Sequence, residues 1–510
     1  MLHLKEEAMR CLLCEDAPCT KACKTGDPAR AIRAIRFDNE KNAWRWTVDC
    51  SEADLERAEQ ACIHYDRPIR IREMLVAPSN LPREMAPSNL PQVGAPSNLP
   101  QLGEASKHPL QLEGDGGRPL AIDFCGIHCE NPFFLASSAV CTNYEMVAKA
   151  FDMGWGGVFY KTICKQDIRE VSPRFDAVKE GNAFAGFRNM EQLSENPHEV
   201  DFYILRRLKQ NYPTKIVVAS IMGQDEEEWI ELAKMAEAAG CDAVELNFSC
   251  PQMRLAGMGS DVGQNAELVS IYTSYVKRNV KIPVIPKMTP NITQIYKPAL
   301  SAYFAGADAI SAINTIKSVT MSPEAAVSGK LTVSGYSGKA VKPIALRYIY
   351  EMAANEIMKK VELSGIGGIE TWRDALEFIQ LGCRNVQVCT AVMQYGYRII
   401  DDLVMGMQTY MAERNVESLD KLVGEMLPNF VMPSDLDRET KVFPKIDRER
   451  CMGCGRCYIS CQDGGHQAIA FDKESRQPRI VGSKCVGCHL CRLVCPTGAI
   501  GMAKRVGAKH

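Results

Sequence analysis

No run of about 18 uncharged apolar residues occurs in the 510-residue chain, so the sequence offers no helix able to cross a bilayer. The opening MLHLKEEAMRC lacks the basic start and apolar centre of a secretion signal, and a cytoplasmic location with no membrane partner is expected. Net charge is nearly absent too. Sixty Lys and Arg stand against 62 Asp and Glu, which argues against a nucleic-acid partner and against a disordered acidic tail. No GxGxxG follows any candidate strand, so a Rossmann dinucleotide site has no support. What the chain has in quantity is cysteine, 22 in all. Under reducing conditions so many thiols read as metal ligands or reactive groups. Their placement supports that reading: six precede residue 63, eight lie between 125 and 389, and eight between 451 and 495.

A chain of this length should divide into domains. Residues 1–75 form a small Cys-rich head. APSNLP then occurs three times, at 77–82, 86–91 and 95–100, within an extended linker of residues 76–118 that should hold the head apart. From 119 to 435, eight apolar, β-rich runs alternate with amphipathic segments such as EEEWIELAKMAEAAG (226–240). The runs are FFLASSAV (133–140), GGVFYKTI (156–163), IVVASIM (216–222), AVELNFS (243–249), PVIPKMT (283–289), AISAINT (309–315), VELSGIGGI (361–369) and NVQVCTAV (385–392). The expected class is α/β, a (β/α)8 TIM barrel, with an open doubly wound sheet as the runner-up. Residues 436–510 complete the chain as a separate domain.

That last domain carries the most specific signal. Cys451, Cys454, Cys457 and Cys461 repeat the spacing of Cys485, Cys488, Cys491 and Cys495, the spacing at which thiolates wrap a 4Fe-4S cubane. The fourth Cys of each run ligates the other cluster. Cys451, Cys454, Cys457 and Cys495 should therefore hold one, with Cys485, Cys488, Cys491 and Cys461 holding the second. Zinc ribbons, which use two CxxC pairs, fit the pattern poorly. In the head, Cys11, Cys14, Cys19 and Cys23 precede Cys50 and Cys62, which points to one further metal or iron–sulfur site, a zinc or vestigial site being the alternative. Six cysteines cannot furnish two all-Cys clusters.

Within the barrel, chemistry belongs at the C-terminal ends of the strands. Gly367, Gly368, Cys389 and Thr390 fall after strands seven and eight, where backbone N–H groups can approach a phosphate-bearing cofactor. Lys161 and Lys287 close strands two and five, where a cation can face a reducible ring. Cys250 begins a Gly-rich loop after strand four, and its thiol could protonate a substrate carbon as the loop closes. Asn247, Asn314 and Thr315 lie at strand ends and could match a planar imide, or simply serve turns.

The motifs FYKTI, NFSCPQ, PKMTPN, INTIKS, GYSGKAVKPIALR, SGIGGIETW and CMGCGRCYISCQDGGHQAI together resemble the dihydropyrimidine dehydrogenase family, its bacterial catalytic type above all, over about residues 119–503. The barrel alone is similar to dihydroorotate dehydrogenases. The head AMRCLLCEDAPCTKACKTGDP resembles the N-terminal cluster domain of the family's NAD(P)H-handling partner subunit or fused enzyme. The resemblance implies FMN held by Ser137, Lys161, Thr162, Lys287, Gly338, Gly367, Gly368, Cys389 and Thr390. It implies uracil or thymine bound by Asn189, Asn247, Asn314 and Thr315, with Cys250 as general acid, and an oligomeric enzyme. Cys11, Cys14, Cys19 and Cys62 would hold a third cluster. Where the fused enzyme binds FAD and NADPH this chain has the APSNLP linker, so electrons must come from an FAD-containing NAD(P)H-oxidising subunit or a soluble ferredoxin. Two other readings stand beside it: a reductase of orotate or another unsaturated ring, and an electron-transfer adaptor with no substrate of its own.

Overall fold

Burial on both faces decides the central elements. IVVASI at Ile216–Ile221 is buried at every position, as a parallel strand covered by helices must be. A computed structural model describes residues 2–75, 120–251, 253, 258–320 and 332–507. The APSNLP linker and part of the loop after Cys250 lie outside these residues.

Eight strands close into a barrel in chain order. They are β1 (Phe133–Leu135), β2 (Gly157–Phe159), β3 (Ile216–Ile221), β4 (Ala243–Asn247), β5 (Val284–Lys287), β6 (Ala309–Ala312), β7 (Glu362–Ile366) and β8 (Cys383–Val388). Every neighbouring pair is parallel. The (β/α)8 reading holds and the open sheet does not. Interior packing explains one small residue: a Cβ on Gly157 would come within 2.5 Å of the Phe134 ring, so the glycine of β2 makes room for the aromatic of β1.

The helix expected at 226–240 forms as Glu226–Ala239, capped by Asp225 and stopped by Gly240 in the left-handed region (φ 85°). Several strands are shorter than their apolar runs. The eighth run, 385–392, is corrected most: its strand ends at Val388 and Thr390–Tyr395 is a helix, so tertiary packing overrides the β-propensity of TAV. A four-stranded antiparallel sheet has no counterpart in the eight-run reading. Its order is Ile316–Ser318, Ser334–Ser337, Ala183–Asn189, Phe175–Glu180. Phe175–Glu180 is exposed at all but one position, so no apolar alternation marks it.

The head is helical and is not held apart. It packs on the barrel within one compact unit, residues 7–427. From the helix Pro28–Arg36, Arg33 donates through Nε to Asp402 at 2.7 Å and through Nη2 to Asp401 at 3.0 Å. Both acceptors lie on the helix Ile399–Glu413. Arg36 stands 5.0 Å over the Tyr395 ring, and Trp372 Nε1 donates to the Asp38 carbonyl at 2.9 Å.

Residues 428–510, with 1–6, make a second compact unit. Thr440–Ile446 pairs antiparallel with Ile500–Gly507, and Ile469–Asp472 with Gln477–Ile480. The helices Arg456–Gly464 and Leu490–Leu493 begin at the last cysteines of the two CxxCxxC runs, Cys457 and Cys491. This pseudo-symmetric arrangement is what a repeated ligand run produces. Among the described residues no helix is long and apolar enough to cross a membrane.

Candidate active site and cysteine-lined cavities

A single cleft opens at the C-terminal ends of the barrel strands, with about 1060 Å³ of space counting its open mouth. That is ample for a bound cofactor. All fourteen barrel residues named from the sequence line it. Ser137, Lys161 and Thr162 come from just past the ends of β1 and β2, Asn247 from the end of β4 and Cys250 from the loop after it, Lys287 from β5, and Asn314 and Thr315 from just past β6. Gly367 and Gly368 follow β7, Cys389 and Thr390 follow β8, and Asn189 and Gly338 come from the added sheet and its edge.

Hydrogen bonds knit the floor together. Asn314 Nδ2 donates to Ser249 Oγ at 2.7 Å and to Asn247 Oδ1 at 3.4 Å. Asn247 Nδ2 donates to Thr162 Oγ1 at 2.9 Å, and Thr162 is 3.1 Å from Ser137 Oγ and 3.0 Å from Ser220 Oγ. Ser249 N–H also donates to Asn247 Oδ1 at 3.2 Å, so the turn role of this Asn coexists with its place in the cleft.

Two lysines are almost fully buried there, Lys161 at 4 % and Lys287 at 3 % exposure. Such burial needs counter-charge. Lys161 Nζ lies 3.1 Å from Glu191, and Lys287 Nζ is 3.6 Å from Glu245, which is buried on β4 and accepts from Ser220 at 2.8 Å. Glu245 Oε2 and Gln387 Oε1 are buried without a hydrogen-bond partner, and Gln387 lines the cleft. Gly367 (φ 132°) and Gly368 (φ 73°) adopt backbone angles that L side chains rarely reach, and a Cβ on Gly368 would stand 2.8 Å from the Gly338 carbonyl. The backbone therefore comes close to the cleft unshielded, as an anion cradle requires. Buried cations, glycine backbone and an unmet amide oxygen together fit a flavin phosphate and ring.

Sequence reading missed Glu191, Glu245, Gln387 and Glu370. Glu191 is two residues from Asn189 in FRNMEQ, and that adjacency was the one available signal. Glu370, on the cleft wall, is pushed up to about 7 by burial and by Asp374, against the opposing pull of Lys339, Arg36 and Lys342.

Three smaller cavities are each lined by four cysteines. Cys451, Cys454, Cys457 and Cys495 surround one, and Cys461, Cys485, Cys488 and Cys491 a second. Cys11, Cys14, Cys19 and Cys62 surround the third, with Ile32, Ile69 and Ile71. The three enclose similar empty spaces, about 330, 350 and 390 Å³ in that order. Burial pushes the Cys19 thiol up to about 12 and Cys491 up to about 11, so metal capture at these sites must displace protons. Cys23 and Cys50 are left outside all three cavities. Their sulfurs lie 3.2 Å apart, and burial and Cys23 together push Cys50 up to about 12.

Fold and site define a class: a flavin-barrel oxidoreductase of the dihydroorotate dehydrogenase type joined to a ferredoxin-like iron–sulfur domain. Comparisons with known proteins agree. The dihydroorotate dehydrogenase family pattern matches residues 119–411, and a 4Fe-4S dicluster domain matches 444–502. The NAD-dependent dihydropyrimidine dehydrogenase subunit PreA of Escherichia coli (strain K12) is 51 % identical over 394 residues, 76 % of this chain and 96 % of that protein. The chloroplastic dihydropyrimidine dehydrogenase (NADP(+)) of Arabidopsis thaliana is 38 % identical over 63 % of this chain and 80 % of its own length. The catalytic subunit of dihydroorotate dehydrogenase B (NAD(+)) of Pyrococcus furiosus is 35 % identical over 60 % of this chain and 98 % of its own. Within the wider class, the chain belongs to the dihydropyrimidine dehydrogenase family.

Proposed function

We propose that this chain is the catalytic subunit of a dihydropyrimidine dehydrogenase, reducing the 5,6 double bond of uracil or thymine. The observation that carries the reading is the convergence of Cys250, four amide or hydroxyl side chains and two buried lysines on one cleft. FMN is the fitting flavin, and Ser137, Thr162, Gly338, Gly367, Gly368, Cys389 and Thr390, which line the cleft, would hold it. When bound and reduced it supplies the hydride, delivered to C6 of the base.

The chain's own residues do the rest. Lys161 and Lys287 stabilise negative charge at the barrel mouth, where burial strengthens their field. Asn189, Asn247, Asn314 and Thr315 present donors and acceptors to the imide edge, fixing which carbon faces the thiol. Cys250 gives its proton to C5. The Cys-lined cavities suit two 4Fe-4S clusters in residues 436–510 and a third in the head on Cys11, Cys14, Cys19 and Cys62. A partner delivers the electrons, an FAD-containing NAD(P)H-oxidising subunit or a soluble ferredoxin.

The test is anaerobic turnover with dithionite as donor and a panel of uracil, thymine and orotate. We expect dihydrouracil and dihydrothymine, and no dihydroorotate. Turnover of orotate alone would instead favour the dihydroorotate dehydrogenase reading that the family match keeps open. Flavin content with no turnover of any substrate would leave an electron-transfer adaptor.

A further inference from the structure

The head holds six cysteines, and four of them line one cavity. The remaining two, Cys23 and Cys50, are far apart in the chain yet their sulfurs are 3.2 Å apart. Two thiols cannot hold a cluster or a structural zinc, each of which needs four ligands, and no third ligand converges on them among the described residues.

Their approach is built in. The segments carrying them are tied twice just inside the pair: Thr25 Oγ1 donates to the Asp49 carbonyl at 2.8 Å, and Asp27 N–H donates to the Trp46 carbonyl at 2.7 Å. Between these ties lies Gly26, where any Cβ would stand 2.4 Å from Cys50 Sγ and 2.5 Å from the Trp46 carbonyl oxygen. Only glycine lets the two strands of chain come this close. A covalent S–S bond of about 2.05 Å needs the sulfurs to close by roughly 1.2 Å, a side-chain adjustment.

We propose that Cys23 and Cys50 form a reversible disulfide beside the head cavity, made by exchange with a low-molecular-weight disulfide such as that of glutathione. Cys50, the more exposed of the two, attacks one sulfur of the reagent as its thiolate, forming a mixed disulfide and expelling one thiolate. Cys23, as thiolate, then attacks Cys50 Sγ, breaking the mixed disulfide and expelling the second. Two protein thiols are oxidised, losing two electrons and two protons, and the reagent is reduced to two thiols. The bond closes a loop containing the helix Pro28–Arg36, which carries the Arg33 contact to the barrel. Because burial and Cys23 hold the Cys50 thiol well up, the exchange is slow at neutral pH.

The test uses the full chain with its iron and flavin, purified without oxygen and equilibrated for hours at pH 8 with glutathione disulfide. Remaining thiols are then alkylated and the digest is mapped by mass spectrometry without reduction. We expect a cross-linked peptide pair joining Cys23 to Cys50, about 2 Da lighter than the two thiol peptides, that dithiothreitol reverses. Cys50→Ser should abolish the cross-link and leave iron content unchanged. Recovery of Cys23 and Cys50 as separately alkylated peptides after equilibration overturns the proposal. Loss of about four irons in Cys50→Ser, or in Cys23→Ser, overturns it as well, since the pair would then serve a cluster.

Discussion

Cys250, in the loop just after β4, lines the cleft, and its replacement separates chemistry from binding. Cys250→Ala should lower turnover of uracil by about 10²–10⁴, the usual worth of a positioned general acid, with flavin content unchanged. Equal turnover in the variant would remove the acid from the mechanism. Glu370 makes a second prediction at this scale. Its folded pKa is raised, from the ordinary 4.5 to about 7, so the stability tied to its neutral form is complete below about pH 4.5 and lost as pH rises through 7. The swing is on the order of 3 kcal/mol. Flavin retention and thermal stability should fall between about pH 4.5 and 7 in the native protein and level off above that, and Glu370→Gln should flatten both profiles. A slope that survives the substitution would place the titration elsewhere.

Elements are coupled through a few contacts that tolerate little change. In the barrel wall, Gly157→Ala drives a methyl to 2.5 Å from the Phe134 ring, an overpacking expected to cost about 1–3 kcal/mol in denaturant unfolding. An unchanged midpoint would mean that β1 repacks freely. Between head and barrel, Arg33 is 9 % and Asp402 5 % exposed, and removing one partner leaves a buried charge. Arg33→Met should cost about 3–5 kcal/mol and expose the head to protease, while adding Asp402→Leu should restore much of the loss. Equal stability of the single variant and the native chain would show that the head is anchored elsewhere, for example by Trp372 on Asp38.

For the whole molecule the decisive quantity is iron. Three cysteine cavities of similar size predict about 12 Fe and one flavin per chain, against about 8 Fe if the head is empty. Cys62→Ser should remove about four irons and leave the ferredoxin-type spectrum intact. A chain carrying 8 Fe that is indifferent to this substitution would assign the head cavity to structure alone. The proposed electron-delivering partner makes a last prediction at this scale: NADH without it should reduce neither flavin nor clusters.

Local spacing settled a good deal. Cys451 to Cys461 and Cys485 to Cys495 declare cubane ligation because thiolates three residues apart wrap a cluster on one loop. The eight apolar runs declared the barrel because parallel strands buried on both faces must be apolar throughout. Family motifs then pointed to the cleft residues one by one. Tertiary structure decided what depends on distance through space: that the head rests on the barrel, that Glu191 and Glu245 offset the two buried lysines, and that Glu370 is buried enough to titrate near neutrality. It also decided the fate of the six head cysteines. Family resemblance had already grouped Cys11, Cys14, Cys19 and Cys62, but only the fold shows that these four share a cavity and that Cys23 is left against Cys50, because those approaches depend on helices packing and on a glycine with no side chain to keep them apart.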